Sequence, residues 1–228
     1  MQLRLTAPAK INLGLDVLDK RSDGYHNIQT VMQTISLYDY IVIRPADKGI
    51  RLECDSPGIP AGEENLAYQA ARLILGRAGS QQSVCIYLKK GIPPAAGLGG
   101  GSSDAATVLK GINTIMGLHL SEGELIDMGG TIGADVPFFI SGGTAFAQGK
   151  GDKLTQLTSF KGMDILLIKP HFELSTASVY HQFDSCRPEK RPDMNSILEA
   201  VRNKDMDSLG KRIYNVLEGS LETRWNIS

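Results

Sequence analysis

A glycine-rich run constrains this chain more than any other part of its sequence. Residues 93–104 read PPAAGLGGGSSD, with four glycines among the five positions 97–101. The apolar residues 83–88 before the run predict a strand, and residues 105–116 after it predict a helix. A glycine loop between a strand and a helix is typical of phosphate binding, because the first amides of a helix lack intrahelical partners and glycine lets the loop curl toward an anion.

The polar residues that follow the glycines add to this prediction. Ser102, Ser103 or Asp104 is the predicted N-cap of the helix, and the two hydroxyls are candidate ligands of a phosphate oxygen or a magnesium ion. The run is not a P-loop, because no lysine precedes the serines, and its glycine spacing differs from the dinucleotide-binding fingerprint. A glycine turn that only caps a helix is the other interpretation.

Composition narrows the class of protein. The 228 residues include 24 basic and 25 acidic side chains, a balance that gives no support to nonspecific nucleic-acid binding. Cys54, Cys85 and Cys186 form no close pair, which favours a reducing, cytoplasmic location. Arg4 and Lys10 interrupt the N-terminal apolar residues, so neither a signal peptide nor a membrane partner is predicted. The histidine spacing predicts no metal site.

Strands dominate the first part of the chain in this prediction, and helices the last. Residues 47–49 (DKG) predict a turn and therefore a hairpin between the strands on either side. The predicted strands are residues 3–6, 11–18, 30–37, 40–44, 50–54, 83–88, 134–140 and 144–148, and a buried strand at 164–169. The predicted helices are residues 63–78 and 105–116, a helix opened by a capping box at 121–124, and residues 176–183, 195–203 and 205–216. The fold class predicted is α+β with two lobes.

Two lone charges lie in segments that otherwise resemble core. Lys10 lies between Ala9 and Ile11, and Asp135 lies between Ala134 and Val136. Buried charges are usually paired or functional, because an unpaired charge is costly to bury. From the residues alone, a structural salt bridge, two unrelated surface charges and a catalytic pair all remain open.

Four motifs together resemble a known superfamily. PPAAGLGGGSSDAA is similar to the second motif of the galactokinase, homoserine kinase, mevalonate kinase and phosphomevalonate kinase (GHMP) superfamily, and APAKINLGLDV at 7–17 is similar to its first motif. RSDGYH at 21–26 and IGADVPFF at 132–139 resemble the diphosphocytidyl-methylerythritol kinase branch. The resemblance runs from about residue 5 to about residue 218.

The resemblance implies a fold and an activity. The fold would have an N-terminal lobe like domain 2 of ribosomal protein S5, residues 1–155, and an incomplete ferredoxin-like C-terminal lobe, residues 156–228. The implied activity is ATP- and Mg²⁺-dependent phosphorylation of the 2-hydroxyl of 4-diphosphocytidyl-2-C-methyl-D-erythritol, a small-molecule substrate, in non-mevalonate isoprenoid precursor synthesis. The protein is expected to be a cytoplasmic monomer or homodimer.

The resemblance also implies roles for individual residues. Asp135 would be the catalytic base and Lys10 the catalytic cation beside it. The implied substrate-binding residues are Asn12, Tyr25, His26, Thr176 and Tyr180, with Tyr25 and Tyr180 stacking on the cytosine and His26 hydrogen bonding to it. The implied ATP-binding residues are Asn65, Leu66, Lys90, Pro94, Ala95, Ala96, Gly97, Leu98, Gly99, Gly100, Gly101, Ser102, Ser103 and Asp104.

The sequence departs from the superfamily near its C-terminus. A third glycine-rich motif, roughly SGSGxTxF, is absent, and the residues from Gly219 onward do not fit the family. The expected consequence is an apolar segment at 164–169 whose flanking strands are missing. Two alternatives follow: a truncated, inactive relative that binds nucleotide without turnover, and a kinase of homoserine or mevalonate. Tyr25 and His26 argue against the second, because those substrates carry no base.

Overall fold

A computed structural model describes residues 2–79, 82–160, 162–170, 175–185 and 188–219. The chain forms two compact units. The first unit comprises Met1–Lys10, Thr34–Pro94 and Leu98–Gly142, and the second comprises Ile11–Gln33, Ala95–Gly97 and Gly143–Ser228. The division into domains at residue 155 stays a prediction.

Thirteen elements make up the described part of the chain. The strands are β1 (Leu3–Lys20), β2 (His26–Ala46), β3 (Ile50–Cys54), β4 (Ser83–Lys89), β5 (Thr144–Gly149) and β6 (Lys153–Gln156). The helices are α1 (Leu66–Arg77), α2 (Gly100–Ile115), α3 (Glu122–Ile132), α4 (Val136–Ser141), α5 (Thr176–Ser185), α6 (Met194–Asn203) and α7 (Met206–Gly210). The two pairs of short strands predicted near the N-terminus are therefore two long strands, and the helix predicted for residues 205–216 ends at Gly210.

The pairing of β3 differs from the prediction. In the first unit the end of β2 pairs antiparallel with β4, with Tyr40 opposite Lys89, while β3 pairs parallel with β4, with Ile50 opposite Val84. The predicted hairpin between β2 and β3 is wrong, because β4 lies between them. Parallel strands need a long crossover, and the chain between β3 and β4 provides one that contains α1.

Helix α2 packs closely on the sheet of the first unit. Val108, Leu109 and Ile112 on this helix are fully buried. A Cβ atom on Gly111 would lie 2.5 Å from Cδ1 of Ile43, so a larger residue there would force that side chain to move. The close packing fixes where the N-terminus of α2 lies relative to β1 and β2.

Two local predictions, at the glycine run and at the IGADVPFF motif, are wrong. Helix α2 begins at Gly100 with Gly99 as its N-cap, several residues before the predicted caps, because Gly99 adopts a left-handed conformation (φ 73°) that glycine tolerates. Residues 134–140, predicted as a strand, contain helix α4 instead. Pro137 lies in its first turn, where a missing N–H costs nothing, and Gly142 follows its end.

The second unit has its own buried core. The first part of β2 pairs antiparallel with β5, and β5 pairs antiparallel with β6. Helix α6 lies close to β1, since a Cβ on Gly14 would be 2.6 Å from Cδ1 of Ile197. Leu13, Val31, Ile197 and Val201 belong to the buried cluster between these elements.

The apolar segment 164–169 is not a buried strand. It has no regular secondary structure, and Leu166 and Ile168 are 84% and 83% exposed. Apolar content predicted burial, but among the described residues no strand pairs with this segment. The described helices include none long and apolar enough to cross a bilayer.

Candidate active site

The N-terminus of α2 lies against β1 and α4 in the first unit. A Cβ on Gly99 would come 2.7 Å from the ring of Phe139 and 3.2 Å from Cγ of Lys10. The first intrahelical bond runs from the N–H of Ser103 to the carbonyl of Gly99 at 2.9 Å. The amides of residues 100–102 therefore have no carbonyl four residues back in the helix. Together with the helix dipole, these amides favour an anion at this end.

Lys10 and Asp135 lie together beside this helix end. The ammonium nitrogen of Lys10 is 3.8 Å from Oδ2 of Asp135. The Lys10 side chain is only 8% exposed, whereas that of Asp135 is 32% exposed. The Lys10 backbone N–H donates to the carbonyl of Leu98 at 2.9 Å, which ties β1 to the glycine loop. A buried cation thus faces a carboxylate that solvent, and hence a substrate, can reach.

Asp135 occupies the N-cap of α4 without capping it. Its side chain makes no hydrogen bond to the first turn of that helix. The far end of α4 is held by Lys110, whose ammonium donates to the carbonyls of Phe139 (3.0 Å) and Ile140 (3.3 Å). Burial lowers the pKa of Lys110. Lys110 belongs to α2, so these bonds connect the helix that offers amides to the helix that carries Asp135.

A buried charge cluster lies under the first turn of α2. Lys90 donates to Oδ2 of Asp39 and to Oδ2 of Asp104, each at 2.5 Å. Burial acts to lower the pKa of Lys90, but the charges and hydrogen bonds of the two carboxylates outweigh it and raise that pKa. Burial raises the pKa of Asp104 to about 7, with Lys90 opposing and Asp39 reinforcing the shift. The cluster therefore combines a permanent ammonium with a carboxyl that titrates near neutral pH.

Two atoms of the first turns of α2 are buried without a hydrogen-bond partner: Oγ of Ser103 and Oδ1 of Asp104. Unpaired buried polar atoms are rare and costly in folded proteins. Ser102 differs, because its hydroxyl lies 3.8 Å from where a Cβ of Gly133 would be, close in sequence to Asp135. The Ser102 hydroxyl therefore lies near the residues that precede α4.

The predicted ATP-binding residues that precede α2 in the chain lie in three different local environments. Asn65 is the N-cap of α1: its Oδ1 accepts from the N–H of Ala67, and its Nδ2 donates to the carbonyl of Pro60. Leu66 lies 3.6 Å from where a Cβ of Gly101 would be, so it lies near the start of α2. Residues 95–97 belong to the second unit, where Ala95 has a positive φ of 52°.

A second cluster of predicted residues lies in the second unit. Nε2 of His26 lies 2.6 Å from Oδ1 of Asp184, whose Oδ2 accepts from Lys20 at 2.5 Å. The hydrogen bonds from Lys20 and then from His26 lower the pKa of Asp184. The rings of His26 and Tyr180 are 5.0 Å apart. Strand β2 and helix α5 therefore bring together two of the predicted base-binding residues.

The remaining predicted substrate residues are less enclosed. Tyr25 is 57% exposed, with the ammonium of Lys150 at 5.5 Å from its ring centroid. Thr176 is exposed at the start of α5, and Asn12 is half-buried on β1, two residues beyond Lys10. Residues two apart on a strand point to the same face, so Asn12 and Lys10 share one face of β1.

The sequence prediction missed Asp39, Lys110 and Asp184. Asp39 was placed in a break between two short strands, although it lies inside β2. A lone charge among apolar residues singled out Lys10 and Asp135, and the same signal was present at Asp39 in the segment YDYIVI. Lys110 and Asp184 have no such signal, because helix faces mix charged and apolar residues along the sequence.

Comparisons with known proteins agree with this arrangement. A family model described as the GHMP kinases N terminal domain matches residues 65–143. The 4-diphosphocytidyl-2-C-methyl-D-erythritol kinase of Acetivibrio thermocellus is 46% identical over 216 residues, which cover 95% of this chain and 76% of the relative. This chain belongs to the 4-diphosphocytidyl-2-C-methyl-D-erythritol kinase branch of the GHMP kinases. The relative of the same name from Syntrophomonas wolfei is 47% identical over 94% of this chain and 75% of its own length.

Solved structures confirm the GHMP kinase fold. A crystal structure of a 4-(cytidine 5'-diphospho)-2C-methyl-D-erythritol kinase aligns with a TM-score of 0.78 and 37% identity, covering 98% of this chain and 79% of that one. A homoserine kinase from Cytophaga hutchinsonii has the same fold, with a TM-score of 0.66 and 16% identity over 94% of this chain and 71% of its own. The predicted family, kinase class and mixed α and β fold are confirmed.

Proposed function

We propose that this GHMP kinase transfers the γ-phosphoryl group of ATP to the 2-hydroxyl of 4-diphosphocytidyl-2-C-methyl-D-erythritol. The observation that carries the proposal is the Lys10–Asp135 pair, 3.8 Å apart, beside the amide-bearing end of α2. Phosphoryl transfer asks the protein mainly to position the reactants and to neutralise charge, and these two features supply both. The names of the 44–47% identical relatives support the same substrate.

Asp135 is proposed as the group that takes the proton. Its partly exposed carboxylate accepts the proton of the substrate hydroxyl while that oxygen attacks the γ-phosphorus and ADP leaves with the bond's electrons. Lys10 attracts the carboxylate by roughly 4 kcal/mol at an effective dielectric near 20. Asn12, on the same face of β1 as Lys10, is proposed to hold the hydroxyl end of the substrate.

The first turn of α2 is proposed to bind the ATP phosphates. Its amides and dipole favour an anion, and the buried ammonium of Lys90 adds positive charge under the same turn. Mg²⁺ would neutralise the triphosphate. The hydroxyl of Ser102 or Ser103 would be the protein oxygen on this turn that could hold it. Residues 94–104, with Asn65, Leu66 and Lys90, are proposed as the ATP-binding set.

The cluster of the second unit is proposed to recognise cytidine. The exposed ring of Tyr25 offers a stacking face, and His26, held by Asp184, offers a ring nitrogen for hydrogen bonding. Tyr180 packs on His26 and is proposed as the second aromatic group of the base site, with Thr176 on the same helix. Homoserine and mevalonate carry no base, so a kinase of either substrate would not need a base-binding cluster.

The test is ADP release by the purified chain with ATP and magnesium. Four acceptors are compared: 4-diphosphocytidyl-2-C-methyl-D-erythritol, galactose, homoserine and mevalonate. We expect turnover with the first alone. Equal or faster turnover with a sugar, homoserine or mevalonate would contradict the proposed substrate. Binding of both ligands without turnover would favour the inactive alternative.

A further inference from the structure

We infer that Asp39 is a positioning residue for nucleotide binding, acting through Lys90. The inference rests on the proposed binding of ATP phosphates at α2 and adds a residue that does not itself touch the nucleotide. Asp39 lies inside β2 and is fully buried. A buried carboxylate is costly unless it is paired, so its partners indicate what it does.

The two carboxylate oxygens of Asp39 have separate partners. Oδ1 accepts from the backbone N–H groups of Gly91 (2.7 Å) and Ile92 (2.8 Å), which holds the start of the loop after β4. Oδ2 accepts from the ammonium of Lys90 at 2.5 Å. One side chain therefore fixes both the backbone after Lys90 and the end of the Lys90 side chain.

This anchor lies directly under the helix end. A Cβ on Gly100, the first residue of α2, would come 3.4 Å from Oδ2 of Asp39 and 3.2 Å from Cγ2 of Ile92. The same Lys90 ammonium donates to Asp104 on α2 at 2.5 Å. Lys90 thus bridges β2 and α2, and Asp39 is the end of that bridge that does not belong to the helix.

The charges around Lys90 explain why losing Asp39 should weaken phosphate binding. The charged groups paired with the Lys90 ammonium are Asp39 from β2 and Asp104 from α2. Lys10 and Asp135 form a separate pair, with Lys10 close to Gly99 at the same helix end. A phosphate placed at the first turn of α2 would be attracted by the ammonium of Lys90 only while that ammonium is held under the turn. Asp39 keeps it there.

Substituting asparagine separates the two functions of this side chain. In Asp39→Asn, Oδ1 can still accept from the two backbone N–H groups, but the NH₂ group that replaces Oδ2 has no lone pair to accept from Lys90. The loop after β4 therefore keeps its hydrogen bonds to residue 39, while the Lys90 ammonium loses one of its two carboxylate partners. A purely structural role for Asp39 would therefore change stability without a selective change in nucleotide affinity.

The experiment is a double-mutant cycle on nucleotide affinity. The Kd of a nonhydrolysable ATP analogue with Mg²⁺ is measured by calorimetry for wild type, Asp39→Asn, Lys90→Met and the double variant. The cytidyl substrate is titrated in parallel, and the exposed Asp47→Asn serves as the matched control. We expect Asp39→Asn to raise the Kd for the analogue about tenfold, the size of one charged hydrogen bond, and to leave cytidyl affinity unchanged. In the Lys90→Met background, Asp39→Asn should have no further effect.

Several results would overturn the inference. These are an unchanged or tighter affinity for the analogue in Asp39→Asn, a wild-type affinity in Lys90→Met, or effects of the two substitutions that multiply in the double variant. If Asp39→Asn does not fold, Lys90→Met can still overturn the inference, because a wild-type affinity in that variant would show that nucleotide binding does not use the ammonium that Asp39 holds. If the wild-type protein binds the analogue but shows no turnover with ATP, the proposed function is contradicted and the double-mutant cycle can still be measured. If the wild-type protein does not bind the analogue, both the proposed function and the inference about Asp39 are overturned.

Discussion

The ammonium of Lys10 lies 3.8 Å from the carboxylate of Asp135, although one residue belongs to the first strand and the other precedes the fourth helix. The lysine is enclosed and the aspartate is reachable, so the pair combines a fixed cation with an available base. The left-handed Gly99 allows Lys10 and Phe139 to lie against the start of α2.

Gly99→Ala should destabilise the protein more than Gly97→Ala. Both glycines have positive φ values, 73° and 70°, and a left-handed alanine costs about 1–2 kcal/mol. At Gly99 the added methyl would also lie 2.7 Å from the Phe139 ring, and such overpacking costs roughly a further 1–3 kcal/mol; at Gly97 nothing lies within 4 Å. Urea unfolding of the two variants gives the comparison. Equal losses would show that the contact with Phe139 relaxes at no cost.

Asp104→Asn should change how stability depends on pH. An unfolded aspartate titrates near pH 4, whereas the folded pKa of Asp104 is about 7. Between these values the folded state binds more protons than the unfolded state, so the free energy of unfolding falls as pH rises and levels off above pH 7. The fall amounts to a few kcal/mol, since one pKa unit corresponds to about 1.4 kcal/mol.

The measurement is urea unfolding from pH 4 to pH 8. The wild-type free energy minus that of Asp104→Asn should decrease across this range, while the exposed control Asp127→Asn should give a flat difference. Parallel curves for wild type and Asp104→Asn would mean that Asp104 ionises normally in the folded protein.

Asp184→Ala should weaken cytidyl binding selectively. The substitution removes the carboxylate that contacts both His26 and Lys20, so the His26 ring loses its fixed orientation. We expect the Kd for the cytidyl substrate to rise about tenfold, in keeping with the loss of one charged hydrogen bond, and the Kd for an ATP analogue to stay constant. Calorimetry measures both, with the exposed Asp207→Ala as control. Equal weakening of the two ligands would point to general destabilisation instead.

Leu166→Lys/Ile168→Lys should reduce self-association. These two side chains are 84% and 83% exposed in an apolar segment that pairs with no described strand. Such segments invite aggregation, and lysine opposes it by charge repulsion. Light scattering over a concentration series should show less association in this variant than in Met206→Lys/Ile213→Lys, which changes two half-exposed apolar residues elsewhere. The opposite order would place the associating surface outside the segment.

Local patterns predicted the parts of the fold that local physics decides. The capping box of Ser121 and Glu124 and the existence of α1 follow from short-range chemistry, although α1 begins at Leu66 and not at residue 63. The cost of burying a charge singled out Lys10 and Asp135, but the residues alone left their pairing open. The hairpin after residue 46 failed because pairing partners are chosen by the whole sheet. A turn sequence alone does not say that β4 will lie between β2 and β3.

The remaining errors have physical causes as well. The start of α2 was misplaced because a left-handed glycine, Gly99, replaces the side-chain cap that polar residues usually provide. The segment 164–169 was predicted to be buried from its apolar content, but burial needs a partner surface that the described residues do not supply. Asp39 was not predicted as a functional residue, because its three hydrogen-bond donors come from residues about fifty positions away in the chain.

Asp135→Asn tests the central claim most directly. Transfer of phosphate from ATP to 4-diphosphocytidyl-2-C-methyl-D-erythritol is measured in single turnover, alongside the Kd of an ATP analogue, with Asp127→Asn as the matched control. We expect the rate of transfer to fall about 100-fold or more while nucleotide affinity changes little, because the substitution removes the proton acceptor and leaves the first turn of α2 intact. Transfer at the wild-type rate in Asp135→Asn would contradict the account.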